Sequence, residues 1–156
     1  MMTLCEKVLS ALAGKTLASA ESCTGGGIGQ ALTAVSGASN VYKGGIISYC
    51  NQIKHDLLGV PEELLQTVGA VSAPVAEAMA QGARRVLQAD VAVSVTGLAG
   101  PAGDEFGNPV GTVFVGYCDE KHTLSRHFVF DGDREKVRQE AIEAALKLIL
   151  EEFHGR

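Results

Sequence analysis

Tryptophan is absent from the 156 residues and aromatic residues make up only 5% of them, so the core has to be aliphatic. Clustered positive charge is also missing. The 13 Lys and Arg are outnumbered by 18 Asp and Glu, for a net charge of -5. A protein that tracks a phosphate backbone needs clustered Lys and Arg to displace counterions, so nucleic acid is a poor candidate partner. Four cysteines, Cys5, Cys23, Cys50 and Cys118, form no Cys-x-x-Cys pair. That spacing disfavours a zinc site or a disulfide framework and suits reduced thiols in a cytoplasmic protein. No apolar run approaches the roughly 20 residues a bilayer requires, so no membrane partner is expected. The stretch MMTLCEKVLSALAG places Glu6 and Lys7 among apolar residues, as an amphipathic helix does and a signal peptide does not. Internal repeats and low-complexity tracts are absent as well.

What is present is 46% hydrophobic residues and 19 glycines. That apolar content suffices for one well-buried core, and residues 1–156 are read as a single domain. Leu4, Val8, Leu9 and Leu12 recur at helical spacing, followed by a strand over residues 16–20. A second helix is expected to start within residues 22–25 and run through Ile28, Ala31, Leu32 and Val35 to Gly37. A strand over 42–49, short helices over 52–58 and 62–65, and a helix over 74–87 come next. Val91 to Val95 is apolar throughout, as a strand buried on both faces requires. Residues 97–109 read as a Gly/Pro-rich loop, 111–118 and 123–130 as a hairpin, and 134–153 as a closing amphipathic helix. Helices alternating with strands, then a late hairpin, predict an α/β fold: a three-layer αβα sandwich around a mixed β-sheet.

Ligands in such sheets sit beyond the carboxyl ends of the strands. Three segments qualify. The first, Glu21-Ser22-Cys23-Thr24-Gly25-Gly26, offers a hydroxyl nucleophile at a strand-to-helix turn, where free N–H groups can stabilise an oxyanion. Ser22 or Thr24 serves equally well as a helix cap. The second segment, Tyr49-Cys50-Asn51-Gln52-Ile53-Lys54, offers Tyr49 and Lys54. In the first turn of a helix the macrodipole favours a neutral lysine amine, the form that can act as a base. His55 is a rival base, but no acid is placed to orient it. Cys23 is a rival nucleophile, and in an extended segment neighbouring side chains point to opposite faces, so only one of Ser22 and Cys23 should face a substrate. The third segment presents Thr96, Gly97 and Gly100 at a strand end, without the ending of a phosphate-binding P-loop. A fourth feature, Arg134 with Arg138 one turn on, places two guanidiniums at a helix start, where they suit a bound anion unless Asp133 and Glu135 neutralise them.

In chain order, Ala-Glu-Ser-Cys-Thr-Gly-Gly at 20–26, Ser-Tyr-x-Asn-x-x-Lys at 48–54, Gly-Ala-Val-Ser at 69–72, Thr-Gly-x-Ala-Gly-Pro at 96–101, Pro-Val-Gly-Thr-Val at 109–113 and Gly-Asp-Arg at 132–134 resemble the CinA C-terminal domain family. The resemblance implies an amidase that converts nicotinamide mononucleotide to nicotinate mononucleotide and ammonia, without cofactor or metal. It also implies a serine with a lysine/tyrosine pair at Ser22, Lys54 and Tyr49, and a homodimer or higher homo-oligomer. Tyr49-Cys50-Asn51 further resembles the tyrosine motif of serine β-lactamases and penicillin-binding proteins, an analogy that suggests a proton relay. The expected oxyanion donors are N–H groups of Cys23, Thr24, Gly25 and Gly26 or of residues 97–100. Thr96 and Asn51 would orient the amide, and Arg134 and Arg138 would hold the phosphate. The alternative is a non-catalytic domain that binds a nucleotide or a partner protein in a competence or DNA-damage response.

Overall fold

Thr3 opens the first helix with a capping box, its side chain accepting the Glu6 N–H while Glu6 accepts the Thr3 N–H. From that start the computed structural model describes residues 1–154. The elements are α1 (Leu4–Ala11), β1 (Leu17–Glu21), α2 (Gly27–Thr33), β2 (Tyr42–Ile47), α3 (Asn51–Leu58), α4 (Glu62–Thr67), α5 (Ala73–Val86), β3 (Val91–Gly97), β4 (Thr112–Cys118), β5 (Thr123–Val129) and α6 (Arg134–Glu152). Among the described residues no helix is long and apolar enough to cross a membrane.

The strands form one mixed sheet in the order β2-β1-β3-β4-β5. β1 runs parallel to both neighbours, with Glu21 opposite Ile47 on one side and Val95 on the other. The β4–β5 hairpin is antiparallel to β3 and within itself, pairing Gly97 with Val113 and Thr112 with Val129. The carboxyl ends of β1, β2, β3 and β5 therefore share one edge, and α6 starts beside them.

Side chains alternate across the sheet, and their sizes differ between the two faces. Leu17, Val91, Val93, Val95, Val113, Val115 and Tyr117 pack with α1, α2 and α6. Ala18, Ala20 and Ala92 pack with Leu58, Val75, Met79 and Ala83 of α3 and α5. Helices thus cover both faces, as the α/β pattern predicts. The second face is small enough for α5 to lie close: Ser94 Oγ donates to the Ala76 carbonyl at 2.5 Å, and a Cβ on Gly116 would collide with that same carbonyl.

Several boundaries depart from expectation, among them the end of α2, which stops at Thr33 short of Gly37, and three beside the strand ends have a local reason. β2 stops at Ile47 because Ser48 turns to bond the end of β1. β3 takes in Thr96 and Gly97 because its pairing with β4 continues that far. α2 starts at Gly27, two residues beyond the expected range, because Gly25 and Gly26 adopt left-handed φ of 59° and 100°.

Candidate active site

The end of β1 delivers Ser22 to the shared edge, where its N–H donates to Val95 O at 3.1 Å. Ser48, at the end of β2, donates its N–H at 2.7 Å and its hydroxyl at 3.2 Å to Glu21 O. The chain then turns into α3, whose inward face carries Lys54, only 1% exposed. Its Nζ lies 3.0 Å from Ser22 Oγ and donates to Ser48 O at 2.6 Å. A serine hydroxyl and a buried amine from separate stretches of chain therefore meet at the strand ends.

Burial sets the chemistry of that amine. Desolvation lowers the Lys54 pKa to about 8, with the neighbouring Cys50 and Cys23 pulling the other way. Among the described residues no carboxylate pairs with it. A neutral amine that gives one N–H to Ser48 O keeps a lone pair for the Ser22 hydroxyl proton. The adjacent thiol goes the opposite way, since burial pushes Cys23 up to about 11. Cys23 is thus protonated at neutral pH, the inert form of a thiol. Ser22 and Cys23 nevertheless line the same cleft, contrary to the alternation argument, because the chain leaves extended geometry at Ser22 and enters a turn.

That cleft has a volume of about 400 Å³ and brings Ser22, Tyr49, Asn51, Lys54, Thr96 and Arg134 together with the loop from Gly97 to Ala102. Tyr49 is 62% exposed, and its hydroxyl accepts from Arg134 Nη2 at 3.0 Å. Arg134 Nη1 donates to Gly100 O at 2.7 Å. Thr96 Oγ1 donates to Ala70 O at 2.9 Å, which leaves its lone pairs as the free part of the hydroxyl. Gly97 lets β4 come close, since a Cβ there would stand 2.8 Å from Thr112 O.

Thr24, Gly25, Gly26 and Arg138 do not line the cleft. The Arg138 guanidinium donates to Cys23 O at 3.0 Å and to Thr24 O at 3.2 Å. The Gly25 N–H goes to Ser22 O and the Gly26 N–H to the Glu21 carboxylate, which removes both from the set of oxyanion donors. Leu98 N–H is likewise taken, by Thr112 O. Among the described residues, the N–H groups of Cys23, Thr24, Ala99 and Gly100 donate to no protein acceptor. Asp133 accepts from Lys136 N at 2.9 Å as the cap of α6 and forms no ion pair with Arg134 or Arg138 among the described residues. His55 is tied elsewhere, with Nδ1 2.8 Å from Val60 O and Nε2 3.5 Å from Glu62.

The residue that sequence reasoning missed is Glu21. Its side chain, and neither Ser22 nor Thr24, receives the N–H groups at the start of α2, from Gly26, Ile28 and Gly29. The available signal was an acidic residue directly before a glycine-rich helix start, where the helix dipole favours negative charge.

The model of the CinA C-terminal domain matches residues 2–153. The chain belongs to the CinA C-terminal domain family. A CinA-like protein of Synechococcus sp. (strain RCC307) is 51% identical over 137 residues, which are 86% of this chain and 33% of that protein. The chain spans about a third of the length of such curated CinA-like relatives. A relative of similar size, the nicotinamide-nucleotide amidohydrolase PncC of Pseudomonas putida, is 48% identical over 132 residues, covering 85% of this chain and 82% of that one. Among solved family structures, the competence damage-inducible protein A of Klebsiella pneumoniae superposes with a TM-score of 0.95 at 35% identity, over 98% of this chain and 97% of that one. The competence/damage inducible protein of Agrobacterium tumefaciens has a TM-score of 0.91 at 37% identity, over 95% and 92%.

Proposed function

We propose that the protein hydrolyses the carboxamide of nicotinamide mononucleotide to nicotinate mononucleotide and ammonia, with Ser22 as nucleophile. The observation that carries this reading is the Ser22–Lys54 pair, 3.0 Å apart, with an amine whose pKa burial lowers to about 8. The name of the Pseudomonas putida relative supplies the substrate class.

In this mechanism Lys54 takes the hydroxyl proton as Ser22 Oγ attacks the carboxamide carbon. The oxyanion is met by two of the free N–H groups, drawn from the cleft-lining Cys23, Ala99 and Gly100. Lys54 then returns the proton to the leaving nitrogen, the C–N bond breaks, and ammonia departs. Water, deprotonated by Lys54, hydrolyses the ester and regenerates Ser22. Tyr49 acts as proton relay, Thr96 and Asn51 orient the amide, and Arg134 holds the phosphate. Arg138, occupied by two main-chain carbonyls, holds the nucleophile turn. The enzyme works in the cytoplasm, as a homodimer or higher oligomer.

Ammonia release, together with a one-dalton mass gain in the nucleotide, tests the reaction. Ser22→Ala is expected to lose about a hundredfold or more in rate, roughly 3 kcal/mol of barrier. A Ser22→Ala variant near the parental rate refutes the serine mechanism. Tight binding of the nucleotide by the parent without turnover would instead favour the non-catalytic binding domain.

A further inference from the structure

Glu21 sits one residue before the nucleophile and is 2% exposed. Its carboxylate meets only donors. Oε1 accepts from Thr24 Oγ1 at 2.8 Å, Gly26 N at 3.1 Å and Ile28 N at 2.9 Å. Oε2 accepts from Gly29 N at 3.0 Å and Ser19 Oγ at 3.2 Å. No arginine or lysine is among these partners, so a buried carboxylate is held by five neutral donors drawn from β1, the turn and α2. Hydrogen bonds to a charged group are the stronger kind, and leaving such a group unsatisfied is costly. The same residue's main-chain carbonyl accepts the N–H and hydroxyl of Ser48, whose own carbonyl takes the Lys54 amine.

We propose that Glu21 is a positioning residue for the amidase reaction: by gathering Thr24 Oγ1 and the α2 N–H groups onto its carboxylate, it fixes the turn that presents Ser22 Oγ and leaves the Cys23 N–H group free for the cleft. The planar peptide makes this mechanical. Gly25 N–H bonded to Ser22 O, and Arg138 bonded to Cys23 O and Thr24 O, fix one side of the turn, so each following N–H points the opposite way. Glu21 fixes the other side. The proposal rests on the serine mechanism above.

The test separates the two claims by using a fluorophosphonate, which needs the nucleophile and the oxyanion donors but not the nucleotide. Ser22 Oγ forms a bond to phosphorus, fluoride leaves, and the hydroxyl proton passes to Lys54. In Glu21→Gln the shape is kept, but an amide N–H must face one of the donors. Labelling of Ser22 is expected to slow about ten- to a hundredfold, with a matching fall in kcat for ammonia release and KM within about threefold. The midpoint of the pH–rate profile stays at the parental value, because Lys54 remains buried. General loosening of the fold would raise that midpoint toward an ordinary lysine, and this outcome overturns the proposal. Labelling within twofold of the parent overturns it too. Thr24→Val, which removes a single donor while keeping volume, should slow labelling about three- to tenfold. If Glu21→Gln does not fold, an unchanged rate in Thr24→Val refutes the proposal. A parent labelled at Ser22 that releases no ammonia removes the amidase reading alone, and the labelling comparison still decides the role of Glu21.

Discussion

Arg134 holds the hydroxyl of Tyr49 at 3.0 Å, joining the first residue of the last helix to a residue 85 positions earlier across the mouth of the cleft. The proposed roles assign one of the pair to binding and the other to chemistry. Arg134→Ala is expected to raise KM for the mononucleotide about tenfold or more with kcat changed less than about threefold, and to leave turnover of the phosphate-free nucleoside unaltered. Tyr49→Phe, if the hydroxyl relays a proton, lowers kcat by about tenfold or more. A change in KM alone would place Tyr49 in the binding clamp with Arg134.

The rate should depend on pH through Lys54. In the proposed mechanism the neutral amine is the base, and burial lowers its pKa to about 8, so kcat/KM is expected to rise with pH and level off above a midpoint near that value. A profile flat from pH 6 to 10 would exclude Lys54 as the base.

The same shift makes stability depend on pH. Below about 8 the amine is protonated whether the chain is folded or not, so the penalty of burying the charge is fully present. Between about 8 and 10.5 the unfolded chain binds the extra proton, and stability rises with pH, by on the order of 3 kcal/mol in all. Lys54→Met should abolish this slope. It should also lose about a hundredfold or more in rate while keeping or raising the melting temperature at pH 7, since a desolvated cation is replaced by an apolar chain. Denaturant melts of parent and variant across that pH range provide the measurement.

Gly82 sets two effects against each other. Alanine in mid-helix gains about 1 kcal/mol in helix propensity. A Cβ at position 82, however, would run into the main-chain carbonyl of Leu58, which cannot swing aside as a flexible side chain can. Overpacking of that kind costs about 1 to 3 kcal/mol or more. Gly82→Ala is therefore expected to lower the midpoint of denaturant unfolding, and to reduce activity as well, because Leu58 ends the helix that carries Lys54.

The α/β pattern was legible because period decides it: Leu4, Val8 and Leu12 at helical spacing, Val91 to Val95 as an unbroken apolar run. The three segments beyond the strands were legible too, since each follows an apolar run, but the strand ends themselves were misplaced by one or two residues: β1 ends at Glu21, β2 at Ile47 and β3 at Gly97. What composition concealed was the direction of individual polar groups. The start of α2 was placed too early because Ser22 and Thr24 are good caps in isolation, whereas the donors at that start are claimed by Glu21, five to eight residues back. Arg134 and Arg138 look alike in sequence, yet one faces the cleft and the other is occupied by Cys23 O and Thr24 O. The partners of Arg138 lie 115 and 114 residues away and those of Arg134 34 and 85 away, and no local spacing encodes them.

Lys54 owes its lowered proton affinity to being sealed under the strand ends. A nascent or partly unfolded chain carries an ordinary solvated lysine there, and its serine is no more reactive than any other hydroxyl. Under the proposed mechanism the reactive centre thus comes into being only when the sheet closes over it, so a misfolded copy is chemically silent and does not attack the carbonyls around it.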